Sequence, residues 1–150
     1  MKKYLLLFLL IPLLFAGCNR WINREDRLVG TWKLTSAAKH RKLNRDYINT
    51  GYESGTFSFY DNGQARYTEG SLQMEGNWQL RYISGDSHYD HGEYHSGSGS
   101  RLVFSIHLVN FQSNRLLELD FDDCRFHNRD EFVAEYETVS YSYRYIFERY

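Results

Sequence analysis

The chain has 150 residues, of which 42% are hydrophobic and 17% aromatic, and 18 basic against 19 acidic side chains leave a formal net charge of −1. That length suits one domain with a real core and is short for two. A charge this close to balance offers no basic stripe of the kind that tracks a phosphate backbone, so nucleic acid is not an expected partner.

At the N-terminus Lys2 and Lys3 precede an apolar run from Tyr4 to Phe15, which reads as the charged and hydrophobic regions of a secretory signal. The run is too short for a good transmembrane helix. It ends in "LFAGC", residues 14 to 18, which resembles the bacterial lipoprotein box, where small residues precede a cysteine. The resemblance implies that residues 1–17 are removed as a signal peptide and that Cys18 carries lipid, palmitate included, as the mature N-terminus. Several acyl chains give firm membrane attachment, where one alone binds marginally. The expected setting is a bacterial cell envelope, and Asn19 after the cysteine, in place of aspartate, points to the outer membrane under the best-known sorting rule. Loss of Lys2 and Lys3 takes the charge from −1 to −3. Cys124 is then the one remaining thiol, so no intramolecular disulfide forms, and a small buried side chain is expected there.

Residues 19–27 carry many charges and no strand alternation, and read as a tether; Cys18 with this tether precedes a domain over 28–150. Period two dominates the domain. Phe57 and Phe59 alternate with polar residues, Asp61-Asn62-Gly63 supplies a tight hairpin, and Trp78, Leu80 and Tyr82 share a face. Leu102, Phe104, Ile106 and Leu108 follow the same pattern. A turn at Gln112-Ser113-Asn114 leads to Leu117, Leu119 and Phe121, and another at residues 127–130 leads to Phe132, Ala134 and Tyr136. In the last strand Tyr141, Tyr143, Tyr145 and Phe147 share one face. Eight or nine strands on short links predict an all-β antiparallel meander. Closure into an up-and-down β-barrel of about eight strands removes its edges; a two-sheet sandwich is the alternative.

Gly30-Thr31-Trp32 in "LVGTWKL", the hairpin stretch "FSFYDNGQARY" and Gly76-Asn77-Trp78 in "MEGNWQL" together resemble the small bacterial lipocalin-like domains, many of them lipoproteins. The resemblance implies a barrel whose narrow end is closed by Gly30 and Trp32, with an arginine near the end of the last strand packed over that tryptophan. Arg149 matches by parity, because it shares the face of Tyr145 and Phe147.

An eight-stranded barrel is wide enough either to fill with side chains or to hold one small ligand. Trp78, Tyr82, Tyr141, Tyr143 and Tyr145 are the candidates to line a cavity for a small apolar or amphipathic molecule. The same rings would equally fill the interior. Residues 35–55 are the longest non-periodic stretch, with Lys39, Arg41, Lys42 and Arg45 making it locally basic. Such a loop would select an anionic ligand or meet acidic lipid, although part of it could be helical or extend the first strand.

The stretch "SGDSHYDHGEYHSGSGS", residues 84–100, holds His88, Asp90, His91, Glu93 and His95. These are ligand types for zinc, copper or nickel at spacings that one loop can wrap around an ion. The competing reading is a long polar hairpin loop, since ordering a Gly/Ser segment around metal is entropically costly. There is no nucleophile elbow, no His-Glu-x-x-His and no phosphate loop, and Asp122 and Asp123 read as solvated. The chain is therefore read as a non-enzyme that needs no cofactor. Two functions stand open: a lipid-anchored carrier of a small ligand, and a protein-interaction or inhibitor module acting through the loops at 35–55 and 84–100.

Overall fold

A computed structural model describes residues 24–41, 44–84, 88–90, 93–95 and 100–150. Cys18, Lys42 and His91 lie outside the described residues. The end of the expected tether forms one short helix, α1 (Arg24–Leu28), with Glu25 and Asp26 in its first turn and Arg27 in its last, charges that suit the helix dipole.

Twelve strands follow: β1 (Gly30–Arg41), β2 (Asn44–Tyr47), β3 (Thr56–Phe59), β4 (Gln64–Glu69), β5 (Leu72–Ser84), β6 (His88–Asp90), β7 (Glu93–His95), β8 (Ser100–Asn110), β9 (Arg115–Phe121), β10 (Asp123–Phe126), β11 (Glu131–Glu137) and β12 (Ser142–Arg149). Their ladders are antiparallel. Ten strands form one sheet in the order β10-β11-β12-β1-β3-β4-β5-β8-β9, with β2 attached to β1, and β6 and β7 pair separately. The expected count of about eight is thus corrected to ten. Two physical features account for the difference: a bend at Asp122 divides one run into β9 and β10, and the charged segment Asn44–Tyr47 pairs with the end of β1. No ladder joins the two ends of the sheet among the described residues. Those ends, β9 and β10, are consecutive in the chain, and β10 also approaches β8.

Alternation decides which face is buried. In β8 Leu102, Phe104, Ile106 and Leu108 are all buried, and in β12 Tyr145 and Phe147 are, while Glu148 is exposed. The buried faces of strands far apart in the sheet order then meet. Phe104 of β8 lies 5.6 Å from Phe59 of β3 and 5.7 Å from Phe132 of β11, between ring centroids, and Phe121 of β9 lies 5.1 Å from Tyr145 of β12. Strands β8 and β11 are six places apart in the order, roughly 29 Å in a flat sheet at about 4.8 Å per strand. Contact between their rings requires the sheet to curl until its apolar face meets itself. Each ring so buried stabilises the fold by about 1.5–3 kcal/mol.

Up-and-down connectivity sorts the loops between two poles. One pole gathers α1, the β3–β4 and β10–β11 turns and the far end of the β5–β8 hairpin. The other gathers the β1–β2 hairpin, residues 48–55, the β4–β5 and β8–β9 turns and residues 138–141. Strand β1 runs from the first to the second, a distance on the order of 35 Å for its 12 residues.

Candidate functional site

At the first pole Trp32 is fully buried, and its indole nitrogen donates to the Leu28 carbonyl at 2.7 Å. Arg149 crosses the ring with its guanidinium carbon 4.3 Å from the ring centroid, and donates to the carbonyls of Arg27 at 2.9 Å and Val29 at 3.3 Å. Asp130 lies 3.4 Å from its Nε. Gly30 stands beneath this guanidinium at φ +137°, and a Cβ there would run into Arg149 Nη1. A missing side chain, a buried indole and a terminal arginine therefore meet at one point, and they fasten α1 to β1 and β12. Gly76, in the second Gly-x-Trp, shows the other use of glycine: a Cβ there would strike the His107 carbonyl oxygen on the neighbouring strand.

The five aromatic candidates for ligand contact are not gathered into one cavity. Trp78 is nearly buried, donates to the Tyr60 carbonyl at 2.9 Å and packs 5.9 Å from Phe59, so it seals the base of the β3–β4 hairpin. Tyr82 is 57% exposed near the end of β5, opposite the buried Leu102, and its hydroxyl donates to Ser100. Tyr141, Tyr143 and Tyr145 lie at the second pole. Tyr145 is buried and its hydroxyl bonds that of Tyr136; burial raises both phenol pKa values. Tyr143 stacks on Tyr136 at 4.6 Å and 9°.

Between the poles the interior is occupied by rings. Trp32, Phe57, Phe59, Tyr67, Phe104, Phe121, Phe132 and Phe147 each have at most 1% of their surface exposed. Phe132 and Phe147 stack at 4.6 Å, and Phe57 meets Phe147 edge-on at 5.7 Å. Two clefts of about 380 and 570 Å³ open among the described residues, and neither is lined by any of these rings. The smaller lies between α1 and β5, beside Glu25, Asp61 and Trp78. The larger lies at the second pole, between Thr35–Ala37 of β1 and the loop at Tyr47–Ser54. On its wall Glu53 accepts from the Thr50 backbone at 2.7 Å, the Thr50 hydroxyl at 2.9 Å and the Gly51 backbone at 3.0 Å. Burial alone would raise the Glu53 pKa, but these donors outweigh it and hold the carboxyl below its ordinary value. Glu69, also on the lining of this cleft, accepts from the hydroxyl of Tyr67 at 2.8 Å, and burial pushes that phenol upward.

A bulge at Thr35 shapes the second pole. Leu34 pairs with Phe147 but Ser36 pairs with Ile146, so one extra residue of β1 reverses which side chains face inward. Beyond it Ala37 pairs with Tyr145 and Lys39 with Tyr143, which carries Lys39 and Arg41 onto the tyrosine face. Lys39 Nζ lies 3.5 Å from the Tyr141 ring centroid and 5.7 Å from that of Tyr143, and Arg41 Cζ lies 5.3 Å from that of Tyr141. Arg45, on the opposite face, stacks over Tyr47 at 5.3 Å. The basic stretch was visible in the sequence; its convergence on Tyr141 was not, because it depends on the bulge and on pairing between strands some hundred residues apart.

Within the histidine-rich stretch His88–Asp90 and Glu93–His95 pair as the β6–β7 ladder, in which His88 stands opposite His95 and Asp90 opposite Glu93. His91 and the side chains of this ladder lie outside the described residues, and among those described no group of three His, Cys, Asp or Glu side chains is placed to hold a metal ion. Comparison with protein-family models, with curated proteins and with solved structures returns no significant match.

Proposed function

We propose that the chain is a lipid-anchored lipoprotein of a bacterial envelope, without enzymatic activity. Its lipocalin-like barrel is filled, and it binds its partner at the loop-rich pole remote from the anchor. The observation that carries this reading is the packed interior: a guest would have to displace rings that already contact one another at 4.6–5.9 Å. Such a core is as dense as an organic crystal and costly to open. Carriage of a small apolar molecule inside the barrel is the less supported of the two readings. Closure of the barrel is supported by the run Arg115–Phe126, whose first part pairs with β8 and whose last part pairs with β11. The likeness to lipocalin-like domains is supported by the meeting of Gly30, Trp32 and Arg149.

The anchor rests on Cys18 in "LFAGC". Cells grown with radiolabelled palmitate should label the wild-type chain, and the Cys18→Ser variant should carry no label. Photo-crosslinkers placed at Tyr47 and Val139, both exposed at the second pole, should trap a discrete envelope component. Trapping of that component from Tyr60 at the first pole, with none from Tyr47 or Val139, would place the binding surface at the wrong end.

A further inference from the structure

Several cations of this sheet have acidic partners. Arg66 pairs with Glu75 at 2.8 Å, Arg125 with Asp123 at 2.6 Å and with Glu135, and Arg144 with Glu135 at 3.4 Å. Among the described residues Lys39 and Arg41 have no such pair, and what sets them apart is where they meet. Both converge on the Tyr141 ring, and among the described residues no carboxylate lies within ion-pairing distance of either. Asp46 stands opposite Lys39 in the β1–β2 register without an ion pair between them, and the ammonium lies over Tyr141. Glu137, opposite Ser142, and Glu53, whose charge reaches Tyr145, are the other acidic groups near this face, and neither forms an ion pair with Lys39 or Arg41.

Two like charges brought to one ring repel each other, and the tyrosine quadrupole offsets that only in part. The donors around them are of one kind. An ammonium, a guanidinium fork and the phenol hydroxyls of Tyr141 and Tyr143 point to a ligand that accepts hydrogen bonds and carries negative charge. The Tyr136 stack fixes Tyr143 and the β1–β12 ladder fixes Lys39 beside it, while Tyr141 is held just before β12 by backbone bonds to Thr138.

We infer that Lys39, Arg41, Tyr141 and Tyr143 form a binding site for a phosphate group, borne either by free phosphate or by the headgroup of an anionic lipid. The guanidinium fork and the ammonium together match the spread charge of such an oxyanion. This inference rests on the reading that the domain binds at its second pole, and it names the chemistry bound there.

The test uses the full lipidated protein in neutral detergent, with heat of binding measured for inorganic phosphate and for short-chain phosphatidylglycerol. Lys39→Gln and Arg41→Gln are compared with Arg115→Gln, which removes one exposed charge at the same pole. Saturable binding of inorganic phosphate, weakened at least tenfold in the first two variants and unchanged in the third, supports the site with free phosphate as the source. Binding of phosphatidylglycerol alone, with the same variant pattern, supports it with a lipid headgroup. Absence of saturable binding by both ligands, or an equal loss in Arg115→Gln, overturns it. Such a failure would leave the crosslinking result at Tyr47 and Val139 untouched, so the two readings are separable.

Discussion

Phe104 and Phe132 provide the most demanding test of the curled sheet, because they belong to strands six places apart in the sheet order. Their ring centroids are 5.7 Å apart at 88°, an edge-to-face pair worth about 0.5–1.5 kcal/mol beyond its buried area. Phe104→Leu and Phe132→Leu keep an apolar side chain of similar bulk, so each should destabilise by about 1–2 kcal/mol without unfolding the domain. Phe132→Leu should cost more, since Phe132 also meets Trp32 at 4.7 Å and Phe147 at 4.6 Å. The double variant should be less destabilised than the sum of the two by about 0.5–1 kcal/mol, the coupling expected of touching residues. Urea unfolding followed by tryptophan fluorescence measures all four proteins. A coupling within about 0.2 kcal/mol of zero, with both single variants clearly destabilised, would mean that the rings do not touch, and the curled sheet would have to be abandoned.

Three further outcomes are expected. Gly30→Ala drives a methyl into the Arg149 guanidinium at a strained φ, and should cost about 2–3 kcal/mol and expose Trp32 to quencher; an unchanged melting curve would contradict the latch. Glu53, with its carboxyl held below the ordinary 4.5, contributes stability above that pH and loses it as pH falls through the folded value, so the advantage of wild type over Glu53→Gln should be full at neutral pH and vanish in acid. A gap that stays constant from pH 7 to pH 2.5 would refute that role. The Cys124 thiol, pushed up to about 12 by burial with Asp123 adding to it, should resist maleimide at neutral pH and react only as the domain unfolds in denaturant, whereas immediate labelling of the native protein would contradict its burial.

Much of the fold follows from period two. Every second residue is buried in β8 and β12, at Phe104 and Ile106 and at Tyr145 and Phe147, and Phe132 and Ala134 keep that period in β11 although Val133 between them is buried too; the turns fall at Asp61–Gly63 and at residues 127–130. Three features stayed hidden. The bend at Asp122 divides one alternating run into β9 and β10, and alternation alone gives no sign that its two parts pair with different neighbours. Strand β2 has every residue exposed, so it has no apolar face to betray it, and it lay within a stretch that looked like a loop. The bulge at Thr35 has no glycine or proline to mark it, yet it decides that Lys39 rather than His40 meets Tyr143.

The candidate site was legible in the same uneven way. Parity alone puts Arg149 on the face of Phe147, and the structure has its guanidinium over Trp32. Tyr82 shares the parity of Trp78 and Leu80 yet is 57% exposed, although Leu102 opposite it in the β5–β8 ladder is buried. Alternation reports which face a side chain takes and says nothing of how completely it is buried there.

Native mass spectrometry of the protein extracted from its own envelope tests the central claim, that the barrel is filled and binds at its surface. The lipidated chain should appear without an apolar small molecule bound one-to-one, in wild type and in the Lys39→Gln, Arg41→Gln double variant alike. A stoichiometric apolar guest retained by both proteins would contradict the account, in which the interior is full and binding depends on the two cations at the second pole.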